Sequence, residues 1–278
     1  MVKKSYRSGP SGKKAGFKHD LGQNFLYDEA LLLSLAEGTG VGKEDDILEI
    51  GPGEGTLTSV LCRKGRRVLS VEVDRDLIPF LRLKEQEFPN LTIVEGDIRK
   101  LDFSELTREL EKPYYVIANI PYNITSPILE LLWKQGQTIR QMSLMVQKEV
   151  SEKLLAQPGQ ESYCLLSVHC GYYSTPSVIA QVPAACFTPP PNVDSAFVRM
   201  DIRPEPLLAP ELEKNFFTWT RAGFNLRRKT LVNALKGFRQ PERVSSALQG
   251  LGLSPMARAE ELSVSDWVEL TRVLQGEE

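Results

Sequence analysis

A chain of 278 residues exceeds the usual single-domain size, so one large domain and a smaller one are expected, and 41% hydrophobic content suffices for a sizeable core. No run approaches the ~18 apolar residues of a membrane helix, and no apolar signal core follows the amino-terminal lysines, so a soluble, cytoplasmic protein without membrane partners is expected. The net charge of −2 argues against a uniformly basic nucleic-acid binder, and the four cysteines without C-x-x-C spacing, beside only two histidines, argue against a metal centre.

In chain order, residues 1–19 carry six Lys or Arg and no acid. Such a stretch, rich in Lys, Gly, Ser and Pro, reads as a flexible basic tail over residues 1–20. Leu21 to Leu26 reads L-G-Q-N-F-L, with Asp28 as a helix cap ahead of a stripe of Leu31, Leu32 and Leu35. Asp46 to Gly55 reads D-I-L-E-I-G-P-G-E-G, an apolar strand feeding a turn with Gly51, Gly53 and Gly55. A glycine turn between strand and helix lets a ligand lie on bare backbone, although the same turn can be purely structural. G-x-G-x-G differs from the dinucleotide fingerprint G-x-G-x-x-G.

Thr56 to Lys64 is expected to be a helix and Val68 to Val73 the next strand. Glu72, 21 residues after Gly51, stands where a carboxylate can accept both hydroxyls of a ribose. A third strand, Leu91 to Val94, ends in E-G-D and places Asp97 at the same rim. A fourth, Tyr115 to Ala118, leads into Asn119-Ile120-Pro121-Tyr122. Strands and helices in this alternation predict a parallel sheet with ligands at its carboxyl ends.

Further on, a helix is expected from Ser126-Pro127 to Trp133, a strand at Met142 to Val146 and a helix from Gln147 to Ala156. Residues 164–169 and 178–182 read as a late antiparallel strand pair. Cys186 to Met200 contains three consecutive prolines that hold an extended segment and present Phe187 at a fixed place. The proline-bearing stretch Arg203 to Pro210 reads as a linker. After it, helices are expected at Glu211–Gly223, Arg227–Leu235, Pro241–Leu248 and Val264–Leu274. Residues 221–243 hold seven basic side chains against the single Glu242, a candidate phosphate footprint formed by Arg221, Arg227, Arg228 and Lys229. A solvated helix face would carry the same charges.

Four stretches together carry a resemblance. E-x-G-x-G-x-G from Glu49 resembles motif I of the S-adenosylmethionine-dependent methyltransferases, and G-Q-N-F-L resembles the amino-terminal signature of the adenine-N6 dimethyltransferases of ribosomal RNA. F-x-P-x-P-x-V-x-S from Phe187 resembles that family's late motif, and Phe224 to Leu235 resembles its small-subunit branch. The resemblance implies an α/β fold: a Rossmann-like S-adenosylmethionine-dependent methyltransferase domain over 21–203 and a helical RNA-binding domain over 204–278.

It also implies S-adenosyl-L-methionine as cofactor, with Asn24, Leu26, Gly51, Gly53, Glu72, Asp97 and Asn119 in its pocket, Asp97 accepting from the adenine amino group. The implied reaction dimethylates N6 of two adjacent adenines in the terminal hairpin loop of small-subunit rRNA, on an immature 30S-type particle, by a monomeric enzyme. In that chemistry Asn119 and the carbonyl of Ile120 or Pro121 accept from the target amine as positive charge develops, with Pro121 fixing the turn. Tyr122 stacks on the base, and Phe187 stacks on it from the opposite side by the same resemblance. Other readings are a large-subunit enzyme of the macrolide-resistance type, a non-catalytic ribosome assembly factor and a small-molecule methyltransferase.

Overall fold

The computed structural model describes residues 24–276. The expected basic tail over residues 1–20 lies outside them, as do Gly22 and Gln23 of the first motif. The described elements are β1 (Phe25–Leu26), α1 (Glu29–Gly38), β2 (Asp46–Ile50), α2 (Thr56–Lys64), β3 (Arg67–Glu72), α3 (Ile78–Glu87) and β4 (Leu91–Glu95). They continue with α4 (Phe103–Leu106), β5 (Tyr114–Asn119), α5 (Thr125–Trp133), β6 (Ile139–Gln147), α6 (Lys148–Leu155), α7 (Leu165–Tyr173) and β7 (Ser174–Val182). The last are β8 (Phe187–Thr188), β9 (Ser195–Ile202), α8 (Pro210–Asn225), α9 (Leu231–Ala234), α10 (Pro241–Gly250) and α11 (Val264–Gln275).

Local chemistry starts these elements. The Asp28 carboxylate accepts from the Leu31 N–H at 3.1 Å and caps α1, whose Leu32, Leu35 and Ala36 are buried. All five residues of β2 are buried, acids included. Asp46 can be there because the Arg66 guanidinium meets both its oxygens, at 2.8 and 3.0 Å, and the Glu111 N–H adds a third bond at 2.8 Å.

The seven-stranded sheet has the order β4-β3-β2-β5-β6-β9-β7, and β1 pairs separately with β8. From β4 to β6 the neighbours are parallel, with Ile50 in register with Val71 on one side and Ala118 on the other. The winding therefore reverses at β2, where β3 lies to one side and β5 to the other. That reversal opens a crevice above the carboxyl ends, where Gly51, Glu72 and Asn119 come level.

Contacts divide the chain into two compact units: one runs to Lys148 and resumes over Val178–Arg199, and the other holds Glu149–Ser177 and everything from Met200. The first is built on a core that includes Ile47, Leu61, Val68, Ile93, Ile117 and Phe197. The second packs Tyr163, Tyr172, Phe216, Trp219, Leu235 and Trp267. At about 1.5–3 kcal/mol per fully buried large apolar side chain, each core is substantial by itself. The single cut expected at 203–204 thus gives way to a helical unit with two sequence segments, because Val168 and Tyr172 of α7 join the cluster of α8; the Tyr172 and Phe216 rings lie 4.5 Å apart.

Two expected elements differ. Residues 164–169 are not a strand: Leu165–Tyr173 is helical, and the Ser167 hydroxyl, bonded to the Cys164 N–H at 3.0 Å, begins it. The helix buries Ser167, Val168, His169, Cys170 and Tyr172, so its apolar run shows neither an alternation nor a single stripe. Of the helix expected over Arg227–Leu235, only Leu231–Ala234 forms. Arg227, Arg228 and Lys229 lie in the turn before it, closed by the Lys229 N–H on the Leu226 carbonyl at 2.7 Å.

Candidate active site

A cavity of about 270 Å³ opens at the carboxyl ends of β2 to β5, entirely within the first unit. Asn24, Leu26, Gly51, Gly53, Glu72, Asp97 and Asn119 all line it, together with Pro121 and Tyr122. Residues 95 positions apart in sequence, Asn24 and Asn119, meet there because β5 runs beside β2 and β1 crosses the glycine turn.

The turn needs its glycines. Gly51 and Gly53 have φ of +69° and +60°, and a Cβ on Gly53 would stand 2.7 Å from Cε1 of Phe25. Residues 24–27 are tied over this turn: the Thr56 hydroxyl donates to the Leu26 carbonyl at 2.8 Å, and the Tyr27 hydroxyl to Glu54 Oε2 at 3.0 Å. Nothing in the chemistry of Phe25 and Tyr27 marks them as site residues in the sequence alone. Their position between the Asn and the helix cap was the available signal.

Three carboxylates face the cavity with different electrostatics. Glu72 is 5% exposed and accepts from the Gly53 N–H at 3.1 Å and the Asp74 N–H at 2.8 Å, so it also holds the glycine turn; burial raises its carboxyl above the ordinary range against the pull of those bonds. Asp97 is gripped at both oxygens by Arg99, at 2.9 and 2.7 Å, which keeps its carboxyl low. Glu49, 1% exposed, accepts from the Ser70 hydroxyl at 2.6 Å through Oε2, and the buried Thr58 hydroxyl also supports its charged form. Burial pushes its carboxyl up to about 7, against the lowering effect of the Ser70 and Thr58 hydroxyls. A carboxylate in the lining of a cavity attracts a cationic ligand group. The sequence marks Glu49 as the first residue of the E-x-G-x-G-x-G motif, and the structure adds its burial in the cavity lining.

At the end of β5 the Asn119 amide donates from Nδ2 to the Asn24 carbonyl at 3.0 Å. A carbonyl can only face the nitrogen, so this contact fixes the amide orientation and leaves Oδ1 as acceptor. The Pro121 carbonyl already accepts from the Ile124 N–H at 3.1 Å, which makes the Ile120 carbonyl the better second acceptor of the two considered. Tyr122 lines the cavity with its hydroxyl 2.6 Å from Ser195 Oγ.

Phe187 does not join these residues. It is 2% exposed, sits in the core cluster and pairs through β8 with Leu26 of β1. An aromatic ring beside a buried strand gains more from the core than from a solvent-facing position. In the second unit Arg221, Arg227, Arg228 and Lys229 are all exposed. Arg227 is committed elsewhere: it pairs with Glu260 at 2.8 Å and donates to the Tyr163 carbonyl at 3.3 Å.

The sequence matches the profile of a family described as ribosomal RNA adenine dimethylase over residues 14–276. It is 39% identical to the ribosomal RNA small subunit methyltransferase A of Clostridium botulinum (strain Loch Maree), across 92% of this chain and 93% of the relative. Against the protein of the same name from Clostridium perfringens (strain SM101) the identity is 38%, across 90% and 88%. The fold is similar to the crystal structure of a dimethyladenosine transferase from Plasmodium falciparum, with TM-score 0.78 and 24% identity over 88% of this chain and 95% of that one. It is also similar to the 23S rRNA methyltransferase ErmE, with TM-score 0.73 and 27% identity over 90% and 99%. With the family profile spanning nearly the whole sequence and relatives at this identity aligned along almost their full length, the chain belongs to the ribosomal RNA adenine dimethylase family.

Proposed function

We propose that this protein is an rRNA adenine-N6,N6-dimethyltransferase of the small subunit, acting on two adjacent adenines of the terminal hairpin loop during maturation of a 30S-type particle. The observation that carries the reading is the Asn24–Asn119 contact, which turns an amide oxygen into a fixed acceptor beside three carboxylates in one cavity.

S-adenosyl-L-methionine fits the donor set. Glu49 brings a carboxylate to the cavity lining for an ammonium, Glu72 has lone pairs left for ribose hydroxyls, and the Gly51–Gly53 backbone leaves room for a close approach. When bound, the sulfonium supplies an already activated methyl group, so neither a metal nor a covalent enzyme intermediate is needed.

The residues of this chain act on the nucleophile. An adenine amino nitrogen is poor because its lone pair is delocalised into the ring. Asn119 Oδ1 and the Ile120 carbonyl accept its hydrogens, favour the pyramidal nitrogen and stabilise the charge that develops on it. Tyr122 contributes a ring face to hold the extruded base, an interaction worth ~1–3 kcal/mol. Arg221, Arg228 and Lys229 contribute phosphate contacts from the second unit, and the enzyme works as a monomer in the cytoplasm.

Transfer of labelled methyl to undermethylated small subunits, with free rRNA and large subunits as comparisons, tests this. Two dimethyladenosines mapped to the terminal hairpin loop are expected. Methylation of large subunits instead would move the protein to the ErmE-like activity.

A further inference from the structure

Tyr122 and Ser195 stand 73 residues apart, in separate motifs, and their hydroxyl oxygens are 2.6 Å apart. Ser195 opens β9 and is 0% exposed. Its backbone is fixed on both sides of the hydroxyl. The preceding Asp194 accepts the Lys148 N–H at 3.0 Å through its carbonyl and the Ala184 N–H at 2.9 Å through Oδ1. The following Ala196 and Phe197 are buried in the first unit. Ser195 Oγ is therefore a rigid anchor whose partner among the described residues is the Tyr122 hydroxyl.

Tyr122 is held at its other end as well. It begins a single turn of 3₁₀-helix, and the Thr125 hydroxyl donates to its carbonyl at 3.2 Å. With backbone and hydroxyl both fixed, the ring cannot swing about its side-chain torsions while it lines the cavity. A buried tyrosine hydroxyl is ordinarily paired, and here the pairing also sets the angle at which a ring lining the cavity meets a planar base.

We propose that Ser195 is a positioning residue for methyl transfer: it tethers the Tyr122 hydroxyl and so presents the ring face to the target adenine beside Asn119. This rests on the adenine-methylating reading above. Ser195 touches neither cofactor nor base in this assignment and acts only through Tyr122.

Ser195→Ala removes the anchor and Tyr122→Phe removes the tethered hydroxyl while keeping the ring. Each should slow the single-turnover rate on undermethylated small subunits, on the order of 10- to 100-fold, the scale of a misplaced reacting group. The double variant should be no slower than either single one, since both cut the same tether. Affinity for S-adenosylmethionine should stay at the parent value. In a hairpin RNA carrying 2-aminopurine at the target position, quenching on binding should weaken equally in both variants.

If Ser195→Ala is too unstable to assay, Tyr122→Phe carries the test, and a parent-like rate in it overturns the proposal. A slow Tyr122→Phe beside a parent-like Ser195→Ala also overturns it, because the hydroxyl would then act without its anchor. Multiplicative losses in the double variant do the same. A parent protein that methylates no subunit at all fails the functional reading rather than this one.

Discussion

The Arg227 guanidinium lies 2.8 Å from Glu260 and 3.3 Å from the Tyr163 carbonyl, so the first of three adjacent basic residues ties together parts of the helical unit that are distant in sequence. Arg228 and Lys229 beside it are exposed. The three should therefore separate by experiment. Arg228→Ala with Lys229→Ala should weaken subunit binding and lower the slope of log affinity against log salt by about two, roughly one per lost phosphate contact. Arg227→Ala should instead cost about 1 kcal/mol of stability or less, as partly exposed pairs do, and leave the slope nearly unchanged. A slope that falls as far in Arg227→Ala as in the other variants would return Arg227 to the RNA surface.

The same residue shows where a sequence stops being readable. The strands at the rim were legible, since each is an apolar run ended by Gly51, Glu72, Asp97 or Asn119, and the parallel order follows from their alternation with helices. Neighbouring charges, by contrast, say nothing about a partner 33 residues away such as Glu260. Helix α7 was illegible for a related reason: buried on several faces, it has no polar side to mark its period. Phe187 was placed by its motif, and its packing beside Leu26 depends on a strand pair formed by the two ends of the first unit's chain.

Glu49 gives a pH dependence. Its carboxyl, raised by burial to about 7 from the ordinary glutamate value of 4.5, is neutral below that pH and charged above it. The contact needs a charged carboxylate and a protonated amine, so S-adenosylmethionine affinity should rise with pH up to about 7 and fall again as the ligand's α-amino group loses its proton, at about 7.7–8.0 for an ordinary α-amine. In the unliganded protein the sign is opposite: a raised carboxyl contributes stability that is complete below its unfolded pKa and lost as pH rises through the folded one. Glu49→Gln should remove the rising limb of affinity and flatten the stability profile. Calorimetry across pH 5.5–8.5 that finds the same pH dependence of affinity in the Gln variant would remove Glu49 from the pocket.

Glu72 joins ligand binding to the geometry of the turn. Expected from sequence at a rim, it is buried and holds the Gly53 and Asp74 N–H groups. Glu72→Gln keeps one acceptor but turns an NH2 group against the other N–H donor, so it should weaken cofactor binding and lower Tm by about half as much as Glu72→Ala. Glu72→Ala leaves two buried donors unpaired, at about 1–3 kcal/mol each, and should lower Tm as well as abolish binding. An Ala variant with parent-like Tm would show that the turn does not depend on the carboxylate.

The contact between Asn119 and Asn24 makes the mechanistic prediction specific. Asn119→Ala should slow the chemical step by on the order of 10²–10³, the cost of one preorganised hydrogen bond at a developing charge. RNA affinity should hardly change, because stacking and phosphate contacts remain. Asn119→Asp keeps an acceptor oxygen but replaces the donating Nδ2 by a second oxygen, 3.0 Å from the Asn24 carbonyl. Two oxygens facing each other without a proton repel, so the carboxylate must turn away and the acceptor with it. At pH 8 the Asp variant should therefore be nearly as slow as the Ala variant. As the pH falls and the carboxyl gains a proton, it can again donate to Asn24 while its other oxygen accepts, and part of the rate should return. Single-turnover rates of both variants from pH 5.5 to 8.5, each divided by the parent rate at the same pH, decide the matter. An Asp variant that is fast at pH 8 would show that the Asn24 carbonyl does not set the orientation of residue 119.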